Sequence, residues 1–244
     1  MSGGFDLPLL QAISDWQRGG NEKQSRRRGA VLKDACAGLP EKYRTCGLCC
    51  FRQIALPKGG VWNLIGEDKL PEKISSWTTA IEIAKAFKNG VPPEGQGYQG
   101  VILYVHPKPE DVIVNLSKLY QEPAFTDVLE QNKASISGYH EGVGLYANSQ
   151  IEVVLEIATV TQQDIYSIGG HSSEFEQLVD IAAEEIYGTA ATARQREELL
   201  LKSEQVRSQS GPCWLRPEAT QRVLDRLKPE VEQLRKIKRQ QESG

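Results

Sequence analysis

The segment Asn148-Ser149-Gln150-Ile151-Glu152-Val153-Val154-Leu155-Glu156-Ile157 constrains the fold more than any other part of the chain. Ile151, Val153, Leu155 and Ile157 alternate, the pattern of a strand that buries one face. Successive side chains leave a strand on opposite sides, so Gln150 and Glu152 are expected together on the other face. A carboxamide and a carboxylate two positions apart at the start of a strand reach the same small region of a cleft. Taken alone, the segment better suits a surface strand with solvated polar residues.

The rest of the chain supplies the context. Leu9, Leu10, Ile13 and Trp16 share one helical face, which predicts a helix over 5–18 stopped by Gly19-Gly20. A second helix is expected over about 22–37, carrying Arg26-Arg27-Arg28, a triplet that is more often a solvated face than a phosphate grip. Cys46 to Leu56 reads as a strand closed by Pro57-Lys58-Gly59-Gly60, with Cys50, Arg52, Ile54 and Leu56 on one face. An arginine in an apolar strand is costly unless it meets an anion or a partner in the core.

Ser75-Ser76-Trp77-Thr78-Thr79 precedes a short helix, with Thr79 and Glu82 at capping-box spacing and Gly90 as the stop. Strands follow at 100–105 and 112–115. Residues 117–148 are mixed, with a Gly-rich turn around Gly138, Gly142 and Gly144, and the 150–157 strand comes next. Beyond residue 172 the pattern is helical. Ser173 and Glu176 suggest a capping box, and Phe175, Leu178, Val179, Ala182 and Ile186 a buried stripe. A charged helix covers 190–207, Gln209 to Pro212 break it, and a last helix starts near Pro217 with Pro229 kinking or splitting it. Its apolar face comprises Val223, Leu224, Leu227, Val231, Leu234 and Ile237. Helices, then strands with short helices, then helices again predict an α+β fold. A domain over 1–171 and a helical extension over 172–244 are expected.

Composition narrows the function classes. Of 244 residues, 39% are hydrophobic and 25% charged, which suits a globular protein with a real core. The net charge of −3 gives no global pull toward nucleic acid or an anionic membrane. Basic clusters are local, at Arg26–Arg28 and at Arg235, Lys236, Lys238 and Arg239. No apolar run approaches the ~20 residues needed to span a bilayer, and the N-terminus lacks the basic segment of a secretory signal. A cytoplasmic location is the expectation. Five cysteines, three of them in Cys46-Gly47-Leu48-Cys49-Cys50, are an odd count that argues against a disulfide framework. Zinc would need a remote fourth ligand, so no metal site is expected and the cysteines are read as small buried hydrophobes.

Three pieces stand in order: Arg52 on a strand, Ser76 in Ser-Trp-Thr, and Gln150-x-Glu152 opening a later strand. The arrangement resembles the R-S-E class of mono-ADP-ribosyltransferases, the NAD-using toxin-like fold. Phe51-Arg52-Gln53, Ser76-Trp77-Thr78 with Ala84 and Phe87, Val101–Val105 with Pro109-Glu110-Asp111-Val112-Ile113, and Ser149-Gln150-Ile151-Glu152-Val153-Val154 carry the likeness. It covers roughly residues 45–158, and each motif alone is cheap. The resemblance implies an ADP-ribosyltransferase-like mixed β core, with NAD as donor substrate.

The chemistry gives each residue a task. Positive charge builds on the ribose as its bond to nicotinamide breaks, so a carboxylate beside it is worth most in the transition state. By resemblance Glu152 supplies that carboxylate and bonds the ribose 2′-hydroxyl. Arg52 holds an NAD phosphate, Ser76 orients Glu152 through a short hydrogen bond, and Trp77 lies at the cofactor site, packing beneath it rather than touching NAD. Glu156, on the same face as Glu152, and Arg44 are the rival residues. Depth in the strand favours Glu152, and Arg52-x-x-x-Leu56 followed by Pro57 favours Arg52.

Gln150 addresses the acceptor. Gln at this position of the family goes with asparagine or glutamine acceptors, as in the Rho-modifying exoenzymes, or with guanine, as in the pierisin type. Tyr146 is the acceptor-side aromatic, though it stands one residue farther from Gln150 than in the Rho-type enzymes. An intracellular macromolecule other than an arginine acceptor is expected. The basic clusters, with Tyr139 and Tyr146 as stacking candidates, tilt the choice toward a nucleic-acid base. The resemblance further implies a toxin or phage-defence factor, for which an antitoxin or other protein partner would use the C-terminal helices. A catalytically degenerate transferase fold acting as a binding module is the alternative.

Overall fold

The computed structural model of the chain describes residues 4–93, 95–170, 175–188, 191–210 and 213–242. In chain order its helices and strands are α1 (Leu7–Gln17), α2 (Glu22–Cys36), β1 (Cys50–Pro57), α3 (Lys58–Val61), β2 (Leu70–Pro71), β3 (Ile74–Thr78), α4 (Ile81–Ala86), β4 (Tyr98–Val105), β5 (Val112–Asn115), α5 (Leu116–Tyr120), α6 (Pro123–Asn132), α7 (Val143–Tyr146), β6 (Glu152–Glu156), β7 (Thr159–Val160), β8 (Ile165–Gly169), α8 (Phe175–Tyr187), α9 (Ala193–Ser210) and α10 (Pro217–Glu242). The fold is mixed α+β, as expected. Among the described residues no helix is long and apolar enough to cross a membrane.

The chain divides into two compact units. The first comprises 1–52, 71–84 and 104–160, and the second 53–70, 85–103 and 161–244. The boundary expected at residue 171 lies outside the described residues.

In the first unit β6 lies between β5 and β3, and β3 continues to the start of β1. All these pairs are antiparallel, with Ser76 opposite Val154, Thr78 opposite Glu152 and Phe51 opposite Thr78. Val153, Val154 and Leu155 are fully buried, so β6 loses both faces to the interior rather than one. Helix α1 starts where Asp6 accepts a 3.0 Å bond from Leu9 N, a cap worth about 1 kcal/mol. Its Leu9, Leu10 and Ile13 enter a cluster with Leu32, Phe125 and Val154. Helix α2 is held by a capping box between Asn21 and Gln24, and by ion pairs from Lys33 to Glu156 (2.6 Å) and from Lys73 to Glu22 (3.0 Å).

In the second unit β4 pairs with β8, Gly100 opposite Gly169. Trp214 covers both glycines: a Cβ would fall 2.9 Å from its ring at Gly100 and 2.7 Å at Gly169. Its Nε1 donates to Lys85 O at 2.9 Å. Helix α10 ties to β8 through Thr220, whose Oγ1 accepts from Ile168 N at 3.3 Å.

Several expected boundaries shift for local reasons. The first strand begins at Cys50, not Cys46, because the carbonyl of Thr45 is taken by Lys118 Nζ (2.9 Å) and Asn115 Nδ2 (3.3 Å) instead of a ladder. Pro57 ends that strand by starting α3, where a plain turn was expected. Ser76 lies within β3, and 117–148 is largely helical. Thr78 Oγ1, rather than the Thr79 of the expected capping box, accepts from Ala80 N at 3.1 Å ahead of α4. Helix α10 runs through Pro229 without being split. Of the predicted C-terminal stripes, Val179 and Leu224 are buried, whereas Ile186, Leu234 and Ile237 are exposed. Ser173 and the side chains of Phe175 and Leu178 lie outside the described residues.

Candidate active site

Glu152 opens β6 and is 3% exposed. Its Oε1 accepts from Ser76 Oγ at 2.5 Å and Trp16 Nε1 at 2.8 Å, and its Oε2 accepts from Gln17 Nε2 at 3.3 Å. Ser76 sits on the neighbouring strand one diagonal step away, on the face that Glu152 shares with Val154. Trp16 and Gln17 come from the last turn of α1. Gln17 also donates to Ala147 O (3.2 Å) and accepts from Tyr120 Oη (3.0 Å), which fixes its amide.

Removal from water outweighs these donors and holds the Glu152 carboxyl above the usual carboxylate range, with Ser76, Trp16, Gln17 and then the Arg52 charge opposing it. The same burial, together with the Glu152 charge, pushes the Tyr120 phenol up.

Arg52, in β1, donates from Nη1 to the main-chain oxygen of Ser76 at 2.9 Å. Its Nε stands 3.6 Å from Glu72 Oε2 and makes no hydrogen bond. Arg52, Ser76 and Glu152 thus form one continuous chain of contacts. Trp77 is 2% exposed and donates to Ser75 Oγ at 2.9 Å, so it packs within the core and is closed to a ligand. The rivals lie apart from this chain: Glu156 is paired to Lys33, and Arg44 reaches Ala37 O at 3.4 Å.

Gln150 departs from the sequence expectation. It precedes β6, and Ile151 between it and Glu152 has φ 45°, in the left-handed region. Simple alternation is therefore broken at this point, and the shared face inferred for Gln150 and Glu152 does not follow. Ala147, with φ 42° and ψ −124°, is the second non-glycine residue with positive φ in this approach segment. Such positions cost of order 1–3 kcal/mol each. Ala147→Gly is accordingly expected to raise stability by about 1 kcal/mol, read as a higher denaturation midpoint at unchanged slope. A lower midpoint would refute the assignment of strain there.

Tyr146 is half-buried at the end of α7. Tyr139, expected as an exposed stacking residue, packs against the hydrophobic cluster and meets His140 edge to face. The C-terminal basic cluster is engaged within the protein: Arg235 bonds Gly66 O, and Lys238 pairs with Glu67 at 2.6 Å. In the N-terminal cluster Arg26 pairs with Glu22 at 2.5 Å, and the adjoining Arg18 lies 3.3 Å from Asp15. Arg27 and Arg28 join Arg18, Ala12, Asp15 and Val31 around a cavity of about 200 Å³.

Sequence reasoning missed Trp16, Gln17 and Glu72. A polar Gln beside a Trp at the buried end of an apolar helix was a signal for the first two, since such an amide needs a partner. Glu72 carried none. Among the described residues no group of three or more His, Cys, Asp or Glu is arranged to hold a metal ion. Compared with protein-family models, curated proteins and solved structures, the chain matches none.

Proposed function

We propose that the protein is an NAD-dependent mono-ADP-ribosyltransferase with an ADP-ribosyltransferase-like core. The observation that carries this reading is the Arg52–Ser76–Glu152 chain: an arginine, a serine and a buried carboxylate from three strands in direct sequence of contact. The carboxylate stabilises positive charge on the ribose as nicotinamide departs, and a nucleophile of the acceptor then bonds to the ribose C1. Ser76 is the positioning residue for Glu152. The Arg52 guanidinium, half-exposed as a side chain and only 3.6 Å from Glu72 at its buried Nε, would meet an NAD phosphate through its Nη groups. A ribose hydroxyl would take the remaining acceptor site of Oε2, which holds one donor where Oε1 holds two.

The acceptor proposed is a nucleic-acid base rather than arginine, supported by the Arg18, Arg27 and Arg28 cavity and by the carboxamide of Gln150. The toxin or defence role and an antitoxin partner belong to the same proposal. A second reading, a binding module on a degenerate transferase fold, draws on the near-complete burial of Glu152.

Incubation with NAD labelled in the adenylate, followed by separate nuclease and protease digestion, tests the first reading. Label that survives protease and vanishes with nuclease supports it; label on a protein band points to an asparagine or glutamine acceptor. No nicotinamide release under any condition favours the binding module. Arg52→Lys keeps the charge but loses the planar fork. It is expected to raise the Kd for NAD about tenfold, measured by calorimetry, a loss of about 1.4 kcal/mol. Unchanged affinity would remove Arg52 from the proposed phosphate site.

A further inference from the structure

At the entry to β1, and outside the Arg52–Ser76–Glu152 chain, the sulfurs of Cys46 and Cys50 stand 3.7 Å apart. Both also reach the carbonyl oxygen of Leu48, at 3.5 and 3.8 Å. Cys46 is half-exposed and Cys50 is fully buried. One sulfur is thus open to a reagent while its neighbour is shielded. We propose that Cys46 and Cys50 are a redox-active dithiol, oxidised to a disulfide by hydroperoxides and reduced again by small-molecule thiols.

The geometry requires little movement. A disulfide needs about 2.05 Å between sulfurs, so the gap must close by about 1.7 Å. Residues 46–49 belong to no helix or strand and can supply that shift. Both ends are fixed: Thr45 O by Lys118 and Asn115, and Cys50 by the start of β1. The hydrogen bond from the Cys50 thiol, with a smaller contribution from the Lys118 charge, holds Cys46 below the ordinary thiol range, and the same contact pushes Cys50 up. Cys46, the more exposed of the two, is the attacking thiolate and the buried Cys50 the resolving thiol. Burial pushes Cys49 up as well, which sets it apart from Cys46.

The reaction balances in two steps. The Cys46 thiolate attacks the outer oxygen of the hydroperoxide and the O–O bond breaks. This leaves a sulfenic acid on Cys46, and the departing alkoxide takes up the proton the Cys46 thiol gave up on ionising, giving an alcohol, or water when the oxidant is hydrogen peroxide. The Cys50 sulfur then attacks the Cys46 sulfur and the S–O bond breaks. The hydroxide departs with the Cys50 proton as water. Two thiols are oxidised and one peroxide bond is reduced.

Trypsin cuts after Arg44 and Arg52, so all three clustered cysteines fall in the one peptide Thr45–Arg52. The full-length protein is treated with hydrogen peroxide, alkylated after denaturation, digested and weighed. The peptide should lose two hydrogens and accept one alkyl group instead of three, and dithiothreitol should restore all three. Without peroxide, brief iodoacetamide treatment at pH 7 should label Cys46 at least about tenfold faster than Cys49. Cys46→Ser and Cys50→Ser should each abolish the mass loss, and Cys49→Ser should leave it. Three alkyl groups after peroxide would overturn the proposal. So would a crosslink that persists in Cys50→Ser, or a sulfinic acid on Cys46 in place of the disulfide. Fragmentation of the wild-type peptide, which should find the alkyl group on Cys49, decides even where a variant folds poorly.

Discussion

Glu152→Gln is expected to lower nicotinamide release from NAD about 10²–10³-fold while the protein stays folded, because shape is kept and only the transition-state charge is lost. The stability side follows from the raised carboxyl pKa. The folded state holds the Glu152 proton more tightly than the unfolded chain, so stability from this group is full below the ordinary carboxylate pKa. That stability is lost as pH rises through the higher folded value. Above that value the buried charge is a cost, and there Glu152→Gln should melt no lower than wild type. The carboxylate that the proposed transfer requires forms only above the raised pKa, so the acid limb of the wild-type rate should lie above the usual carboxylate range. Steady-state nicotinamide release between pH 4 and about 9, beside melting curves, reads both effects. Full activity in Glu152→Gln, with loss in Glu156→Gln, would sink the assignment.

Trp16→Ala should cost about 3–5 kcal/mol of stability, the usual range for removing a buried aromatic from a core. Trp16 contributes its ring to the cluster around Leu10, Ile13 and Leu32, and its indole N–H to Glu152. Gly142 makes the pairing of α1 with α7 close: a Cβ there would fall 2.3 Å from Ser14 O, so little slack exists to fill a cavity. Trp16→Phe separates the two contributions. It keeps most of the packing and removes the indole hydrogen bond to Glu152, worth about 1.5–3 kcal/mol at a pH where the carboxyl is ionised. Urea denaturation of the three proteins gives the comparison. A loss in Trp16→Ala of under about 1 kcal/mol would show that the helix does not anchor the site.

The contribution of sequence and of tertiary structure divides at identifiable residues. Helices α1 and α2, the β4 and β5 strands and the apolar body of β6 were readable because periodicity, caps and glycine stops act over a few neighbours. The order of Arg52, Ser76 and Glu152 along the chain was readable too, since it is a property of the text. Their mutual contact was not readable from the residues alone, because it depends on which strands pair and in what register; the Ser76–Glu152 bond was expected only through the family resemblance, and the structure has it. The antiparallel step that puts Ser76 diagonal to Glu152 joins positions 76 residues apart.

The reach of Trp16 and Gln17 to the same carboxylate was equally invisible, since α1 could present its buried face to any partner. Alternation failed at Gln150 because the left-handed backbone of Ile151 precedes the strand, and no side-chain pattern reports a φ angle. Local sequence determined which segments are helix and which are strand. Only the tertiary fold decided that Glu152, a charge that alternation would have placed toward solvent, is enclosed with three donors, because burial and hydrogen bonding are set by distant residues.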